Sequence, residues 1–180
     1  SEAGHDIASV QYTLNKRNSL PSANANAGTP LTVTKSGSTY YIEGSDMSMK
    51  VHTSNGITYW NMGGVDVIPA NTSGKTAPAY SNYRWIENDA PYGTDPYYET
   101  GNGISNRSFK VTESGDGSTV TITESATGSL CNYKFVYTIN RDCTVDLKAQ
   151  YTVTGSNLRR IGMLMQFNPD LSMTRYYARG

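Results

Sequence analysis

The sequence predicts an all-β protein built as an antiparallel sandwich, and three observations predict it. Fourteen Tyr, 17 Gly and a dense supply of Ser and Thr stand against only 17% charged residues, a bias toward strands joined by turns. From Thr39 onward, short runs of strand-forming residues are divided by turn residues at the spacing of a sandwich. No stretch carries a 3.6-residue period and there is no internal repeat.

The elements follow in chain order. "GHDIASVQYTLNKRN" reads as one strand, and "SLPSANANAGTPLTVTKSGS", rich in Ser, Asn, Ala, Pro and Gly, reads as a linker. The chain therefore divides into residues 1–14, a linker over 15–37, and a β-sandwich domain over 38–180. Within that domain "TYYIEG" and "MSMKVH" are separated by Gly44 and Ser45, and "GITYWNM" and "VDVIP" by Gly63 and Gly64. An aromatic loop, "NYRWIENDAPYGTDPYY", interrupts the series at 82–98. After it come "RSFKVTES", the turn "GDG", "STVTITES", "NYKFVYTI" and the longest expected strand, "CTVDLKAQYTV".

In that last segment Val145, Leu147, Ala149, Tyr151 and Val153 alternate with polar residues, the period that puts one face on a core and the other in water. Burying five such side chains contributes about 8 kcal/mol gross, so a one-residue slip is heavily penalised. Ile161, Met163, Met165 and Phe167 repeat the pattern in "RRIGMLMQF", and "MTRYYA" makes a final strand. Cys131 and Cys143 flank a hairpin that turns at Asn140 to Asp142. One lies near its far end and the other beside the turn, more than about 20 Å apart, so two free thiols are expected.

Composition also excludes function classes. Fifteen basic and 15 acidic residues give zero net charge, which leaves no electrostatic footprint for nucleic acid or an anionic membrane. No apolar run approaches the roughly 20 residues of a transmembrane helix, and the start "SEAGHDIASV" lacks the features of a signal peptide. The chain as given is expected to be soluble. Its two histidines, His5 and His52, have no partner at ligand spacing, so no metal site is expected. There is no Gly-x-Ser-x-Gly elbow, phosphate loop or dinucleotide fingerprint, and no cofactor is expected.

Carboxylate chemistry is left, in Glu87, Asp89, Asp95 and Glu99. A glycosidase needs two carboxyl groups at a fixed separation on rigid elements. These acids lie on a loop broken by Pro91, Gly93 and Pro96, a poor platform, so no catalytic residue is assigned. A binding rim, or a network of Arg84 with Glu87 and Asp89, suits the loop better, because Arg forks carboxylates and sandwich loops carry recognition. Tyrosine faces suit the C–H faces of sugars, although Tyr also serves as sandwich filling.

Three separated stretches resemble one family. "GHDIASVQYTL" resembles the Gly-His-Glu-Val-Ala-x-x-Gln-x-x-Leu strand ending the immunoglobulin-like domain after the catalytic barrel in β-galactosidases of glycoside hydrolase family 2. "YRWIENDAPYG" is similar to the family's Trp-Arg-Ala-Pro-x-Asp-Asn-Asp segment, with Arg84, Asn88 and Asp89 at matching positions. It is one residue shorter, and has Trp85-Ile86 where Ala-Pro is usual. "RRIGMLMQF" and "RYYARG" resemble the Pro-Arg-Ile-Gly strand and the Trp-Tyr-Gly-Arg-Gly segment, in the right order.

The resemblance implies a supersandwich of the galactose mutarotase-like type over 38–180, preceded by the last strand of an immunoglobulin-like domain at 1–14. The family continues past the position of Gly180, which implies an incomplete domain with open sheet edges that favour self-association. It also implies an accessory role in hydrolysing terminal β-D-galactosides. By the same resemblance the catalytic glutamates are expected in the barrel domain of the parent chain, a partner, and the isolated chain is expected to be inactive. The loop from Ala90 to about Gly103 is then expected to border the active site, with Arg84, Glu87, Asn88 and Asp89 as its anchor and Tyr92, Asp95, Tyr97 and Tyr98 offered to the β-galactoside or other carbohydrate. A periplasmic or extracytoplasmic parent is compatible with this. The alternative is an autonomous carbohydrate-binding module. A mutarotase-like enzyme fits poorly, because it calls for well-placed His and Glu.

Overall fold

Strand-forming runs alternate with turns, most of them flanked by or containing glycine, through the segments that the computed structural model describes, which are residues 28–70, 78–82, 104–155 and 161–172. Eleven strands result: β1 (Thr32–Ser36), β2 (Thr39–Glu43), β3 (Met47–His52), β4 (Gly56–Met62), β5 (Val65–Ile68), β6 (Ala79–Ser81), β7 (Ile104–Glu113), β8 (Thr119–Gly128), β9 (Cys131–Asn140), β10 (Val145–Val153) and β11 (Gly162–Leu164). The all-β, antiparallel architecture expected from the sequence is the one adopted. β1 to β5 form a five-stranded meander, β7 to β10 a four-stranded one in the order β10-β9-β8-β7, and β6 pairs with β11.

Turn chemistry accounts for the tight connections. Gly63 and Gly64, between β4 and β5, have φ of +61° and +76°. Positive φ at both central positions is what a type I′ hairpin turn requires, and only glycine takes it without strain.

The two sheets close on one core. Ile42, Met49 and Val51 from the first sheet and Val120, Ile122, Phe135 and Ile139 from the second are fully buried. Each such side chain contributes about 1.5–3 kcal/mol through its removal from water. β8 and β9 supply most of the second face, because they are the central strands and their odd-even alternation of buried and partly exposed residues is nearly unbroken. At one end the sheets are joined where Leu31, itself buried, donates its backbone N–H to the Gly117 carbonyl at 2.8 Å. Gly117 has φ of +65°, and a Cβ there would stand 2.8 Å from Pro30 Cβ and 3.0 Å from the Leu31 carbonyl oxygen. Both the turn and the close approach therefore require glycine.

Several expectations are corrected. Thr32–Ser36 lies in the stretch whose composition reads as linker, yet it is β1, paired in register with β2 from Thr32 opposite Glu43 to Ser36 opposite Thr39. Pairing to a neighbouring strand overrides a composition that favours no compact structure of its own. The segment "CTVDLKAQYTV" is not the longest strand. It begins at Val145, because Cys143 sits in the preceding turn with φ of +66°. It is also an edge strand, so its apolar face is only partly covered: Val145, Leu147 and Tyr151 are half-buried and Val153 is 53% exposed. The strand in "RRIGMLMQF" shrinks to Gly162–Leu164, with Phe167 exposed.

Cys131 pairs with Val153 at the far end of the β9–β10 hairpin from Cys143, and both thiols are free, as expected. The opening strand at 1–14 and "MTRYYA" at 173–178 lie outside the described residues.

Phe135→Ala, which empties the centre of the core, is expected to cost about 3–5 kcal/mol of stability. Val153→Ala on the exposed edge should stay within about 0.5 kcal/mol. Urea denaturation midpoints of the two variants check the pair, and equal losses would contradict the core described here.

Candidate functional site

Strand β8 places Val120, Ile122, Glu124 and Ala126 on one face by simple alternation, and that face is the core. Glu124 is thus a carboxylate in a sandwich interior, 1% exposed. An unpaired charge there would be prohibitive, so its partners define the site. Arg107 Nε donates to Glu124 Oε1 at 2.7 Å, and the Tyr133 hydroxyl donates to the same oxygen at 2.7 Å.

Arg107 reaches inward because β7 is bulged. The β7–β8 register shifts between Ser105 and Ser108, and Asn106 takes a positive φ of 50°. A bulge re-aims the side chains that follow it. The guanidinium then spans the two sheets: Nη1 donates to the Ser54 carbonyl on the β3–β4 turn at 3.2 Å, and the group sits 4.8 Å from the Phe109 ring centroid. Gly56, at φ of +80°, leaves the room, since a Cβ there would stand 3.2 Å from Phe109 and 3.3 Å from Arg107. Burial opposes the Arg107 charge, but the bond to Glu124 outweighs it and the net pKa shift is upward.

An aromatic cluster continues from Tyr133. Its ring stacks on Tyr80 at 5.5 Å with an interplanar angle of 2°, and meets Phe135 at 4.6 Å. Tyr151 packs edge-on to Phe135 at 5.8 Å and tilted to Tyr80 at 6.3 Å. Burial first, then the neighbouring Cys131, pushes the Tyr80 hydroxyl up to about 12. Burial, then the Glu124 charge, raises Tyr133 and Tyr137 further. The Tyr137 hydroxyl is buried without a hydrogen-bond partner.

The position of this network matters more than its chemistry. Tyr80 is on β6, immediately before the 83–103 connection, and Arg107 is on β7, immediately after it. Arg107 thus bonds directly to the carboxylate, while Tyr80 stacks on the tyrosine that bonds it.

The residues that the sequence singles out, Arg84, Glu87, Asn88, Asp89, Tyr92, Asp95, Tyr97 and Tyr98, lie outside the described residues. Sequence reasoning missed Glu124, Arg107, Tyr133 and Tyr80. The available signal was the carboxylate that follows Val120 and Ile122 on an otherwise apolar alternation.

Chemically, one carboxylate with both donors on one oxygen is a clamp rather than an acid–base pair, which needs two carboxyls around a substrate. Among the described residues no group of three or more His, Cys, Asp or Glu could hold a metal ion. A cavity of about 80 Å³ between the sheets, lined by Met49, Ile57, Trp60, Ile68, Tyr137 and Leu147 among others, is well below the roughly 300 Å³ of a typical ligand pocket. On the outer face of the first sheet, Tyr41, Lys50 and Tyr59 stand in register, with the Lys50 ammonium 5.8 and 5.2 Å from the two ring centroids.

A family model described as Beta galactosidase small chain matches residues 43–180. No curated protein matches the chain.

Glu124→Ala would leave the buried Tyr133 hydroxyl without its acceptor and the partly exposed Arg107 without its ion partner, and is expected to cost about 1–3 kcal/mol in urea denaturation. The tyrosines make a separate prediction about pH. Their folded pKa values lie above the unfolded value of about 10, so their contribution is complete below about pH 10. It is lost as pH rises through about 12 for Tyr80 and higher for the others. Tyr137→Phe, which removes a buried hydroxyl that has no partner, should leave neutral stability unchanged or higher and flatten the alkaline loss. Denaturation midpoints at neutral and alkaline pH check this, and an unchanged alkaline slope in the variant would contradict it.

Proposed function

The chain belongs to the beta-galactosidase small-chain family, and on that premise we propose that it serves its parent enzyme by lending the 83–103 connection to the rim of the active site. As a small-chain domain it is an accessory domain of a glycosidase whose partner is the rest of the parent β-galactosidase chain. In this reading the catalytic glutamates reside in the barrel of the parent. Arg84, Glu87, Asn88 and Asp89 hold the start of the connection, and Tyr92, Asp95, Tyr97 and Tyr98 meet a terminal β-D-galactoside.

The observation that carries the reading is the clamp at the base of the connection. Loops that recognise ligands work from rigid scaffolds, and here β7 is bonded to a carboxylate in the core while β6 stacks through Tyr80 on the tyrosine that bonds the same carboxylate. The residue types in the connection suit the task. Tyrosine offers a flat apolar face to the C–H side of a pyranose, and a carboxylate accepts from its hydroxyls.

A second reading, an autonomous carbohydrate-binding module, draws on Tyr41 and Tyr59 flanking Lys50 on an outer sheet face. It is the weaker one, because the ammonium lies against both rings and competes for the faces a sugar would use.

The isolated chain is expected to be inactive on a chromogenic β-galactoside. In the full-length parent, Tyr92→Ala, Tyr97→Ala and Tyr98→Ala should raise KM with kcat little changed, since the loss of uniform binding appears in KM. Hydrolysis by the isolated chain, abolished by Glu87→Gln or Asp89→Asn, would overturn the accessory reading.

A further inference from the structure

The cavity between the sheets has two hydrogen-bond donors in its walls, one from each sheet. Trp60 faces inward from β4, in register with Met49 and Ile68, and Tyr137 faces inward from β9, in register with Ile122 and Leu147. Both residues line the cavity, and the Trp60 Nε1 and the Tyr137 hydroxyl are each buried without a hydrogen-bond partner. Tyr137 is only 3% exposed. A donor left unanswered in a low-dielectric interior is costly, and phenylalanine at either position would wall the cavity without that cost. The two donors call for a guest that accepts.

The other walls define its size and character. None of the lining side chains is charged, so an ion would lose its hydration there and gain no counter-charge. The guest is therefore neutral. Met49, Ile57 and Ile68 make a floor that is 0–3% exposed, whereas Trp60, Val145, Leu147 and Met165 are half-buried and make the mouth. Val145 and Leu147 belong to β10, an edge strand of its sheet, so the mouth opens where no further ladder has to part. At about 80 Å³ the cavity is about half the roughly 150 Å³ that takes up benzene, which leaves room for about three or four heavy atoms. An acetyl group has that size, with an apolar methyl for the floor and a carbonyl oxygen whose two lone pairs can each accept a bond.

We propose that this cavity is a binding site for a small uncharged acyl group of acetyl size, whose carbonyl oxygen accepts from Trp60 and Tyr137. The site is separate from the 83–103 connection and does not rest on its reading as a rim. An acetylated sugar and a free small amide carry the same group, and the test separates the two sources.

The full-length parent, isotope-labelled at its methionine methyls and tryptophan indoles, is titrated with N-methylacetamide, N-acetylgalactosamine and galactose. Met49→Leu, Met165→Leu and Trp60→Phe assign the resonances. N-methylacetamide should shift the Met49 and Met165 methyls saturably, with a Kd of about 1–10 mM for so small a guest, and move the Trp60 indole proton downfield as a newly made hydrogen bond does. Galactose, which has no acyl group, should move none of the three. Tyr137→Phe keeps the wall and removes one donor. It should weaken N-methylacetamide about 3- to 10-fold while xenon, an apolar guest, binds within about twofold of wild type.

N-acetylgalactosamine acting on the same three resonances assigns the site to acyl groups carried on sugars. If only N-methylacetamide acts, the guest is a free small acyl compound and the site stands. No saturable shift at Met49 and Met165 with either acyl compound overturns the inference. A Tyr137→Phe variant that binds N-methylacetamide as tightly as wild type also overturns it, because the cavity is then a purely apolar void.

Discussion

A carboxylate on the inner face of a β-sandwich forces its surroundings into order. Glu124 sits where alternation along β8 demands an apolar side chain, and the desolvation of its charge is tolerable only with donors held at short distance. Meeting that demand shapes three strands and a turn. β7 bulges so that Arg107 can enter, Gly56 gives up a side chain to make room, Tyr133 turns its hydroxyl to the same oxygen, and the β3–β4 turn accepts a second guanidinium N–H. Apolar packing elsewhere in the core is non-directional, so this is where geometry is specified most tightly.

Among the described residues, two contacts that are not strand ladders tie the four-stranded sheet to the first, beside the Asn168 bonds to Asp66 and Val67 of β5. At one, Leu31 bonds to Gly117, bringing the segment before β1 onto the β7–β8 turn. At the other, Arg107 links β7 to the Ser54 turn of the opposite sheet. Between them the buried aliphatic and aromatic side chains supply most of the free energy. The clamps fix the alignment of the sheets, on which the direction of any connection leaving them depends. A recognition loop gains affinity from a rigid base because less ordering remains to be done on binding. The clamp at Glu124 therefore ties a core property to the function proposed for the domain.

Much of the fold was legible in the chain. Tyr, Thr and Gly usage, period-two alternation and the Gly63–Gly64 turn pointed to antiparallel strands, and the family resemblance agrees with the match over 43–180. Legibility failed where depth of burial mattered. Alternation says which residues share a face but not how many neighbours cover it. The cleanest pattern, Val145 to Val153, thus belongs to an edge strand, while the Thr-rich "STVTITES" lies at the centre. Composition misled at Thr32–Ser36 because the Ser, Asn, Ala, Pro and Gly of the residues before it set the character of the stretch, while Thr32, Val33 and Thr34 are good strand formers that find a ladder in β2. The anchors expected in 84–89 fall outside the described residues, and the buried network around Glu124 that the structure does describe was unforeseen.

By itself the sequence determined the fold class, much of the strand-and-turn series from Thr39 onward, the separation of the two cysteines and membership of a family, because each of these depends on local pattern or on motifs read along the chain. Only the tertiary structure decided that Glu124, Arg107, Tyr133 and Tyr80 form one unit. Arg107 and Glu124 are 17 residues apart, and Tyr80 and Tyr133 meet from different sheets. No local period encodes such a meeting. It arises when the strands pair in register, the bulge turns one side chain inward, and a buried charge takes the donors brought within its reach.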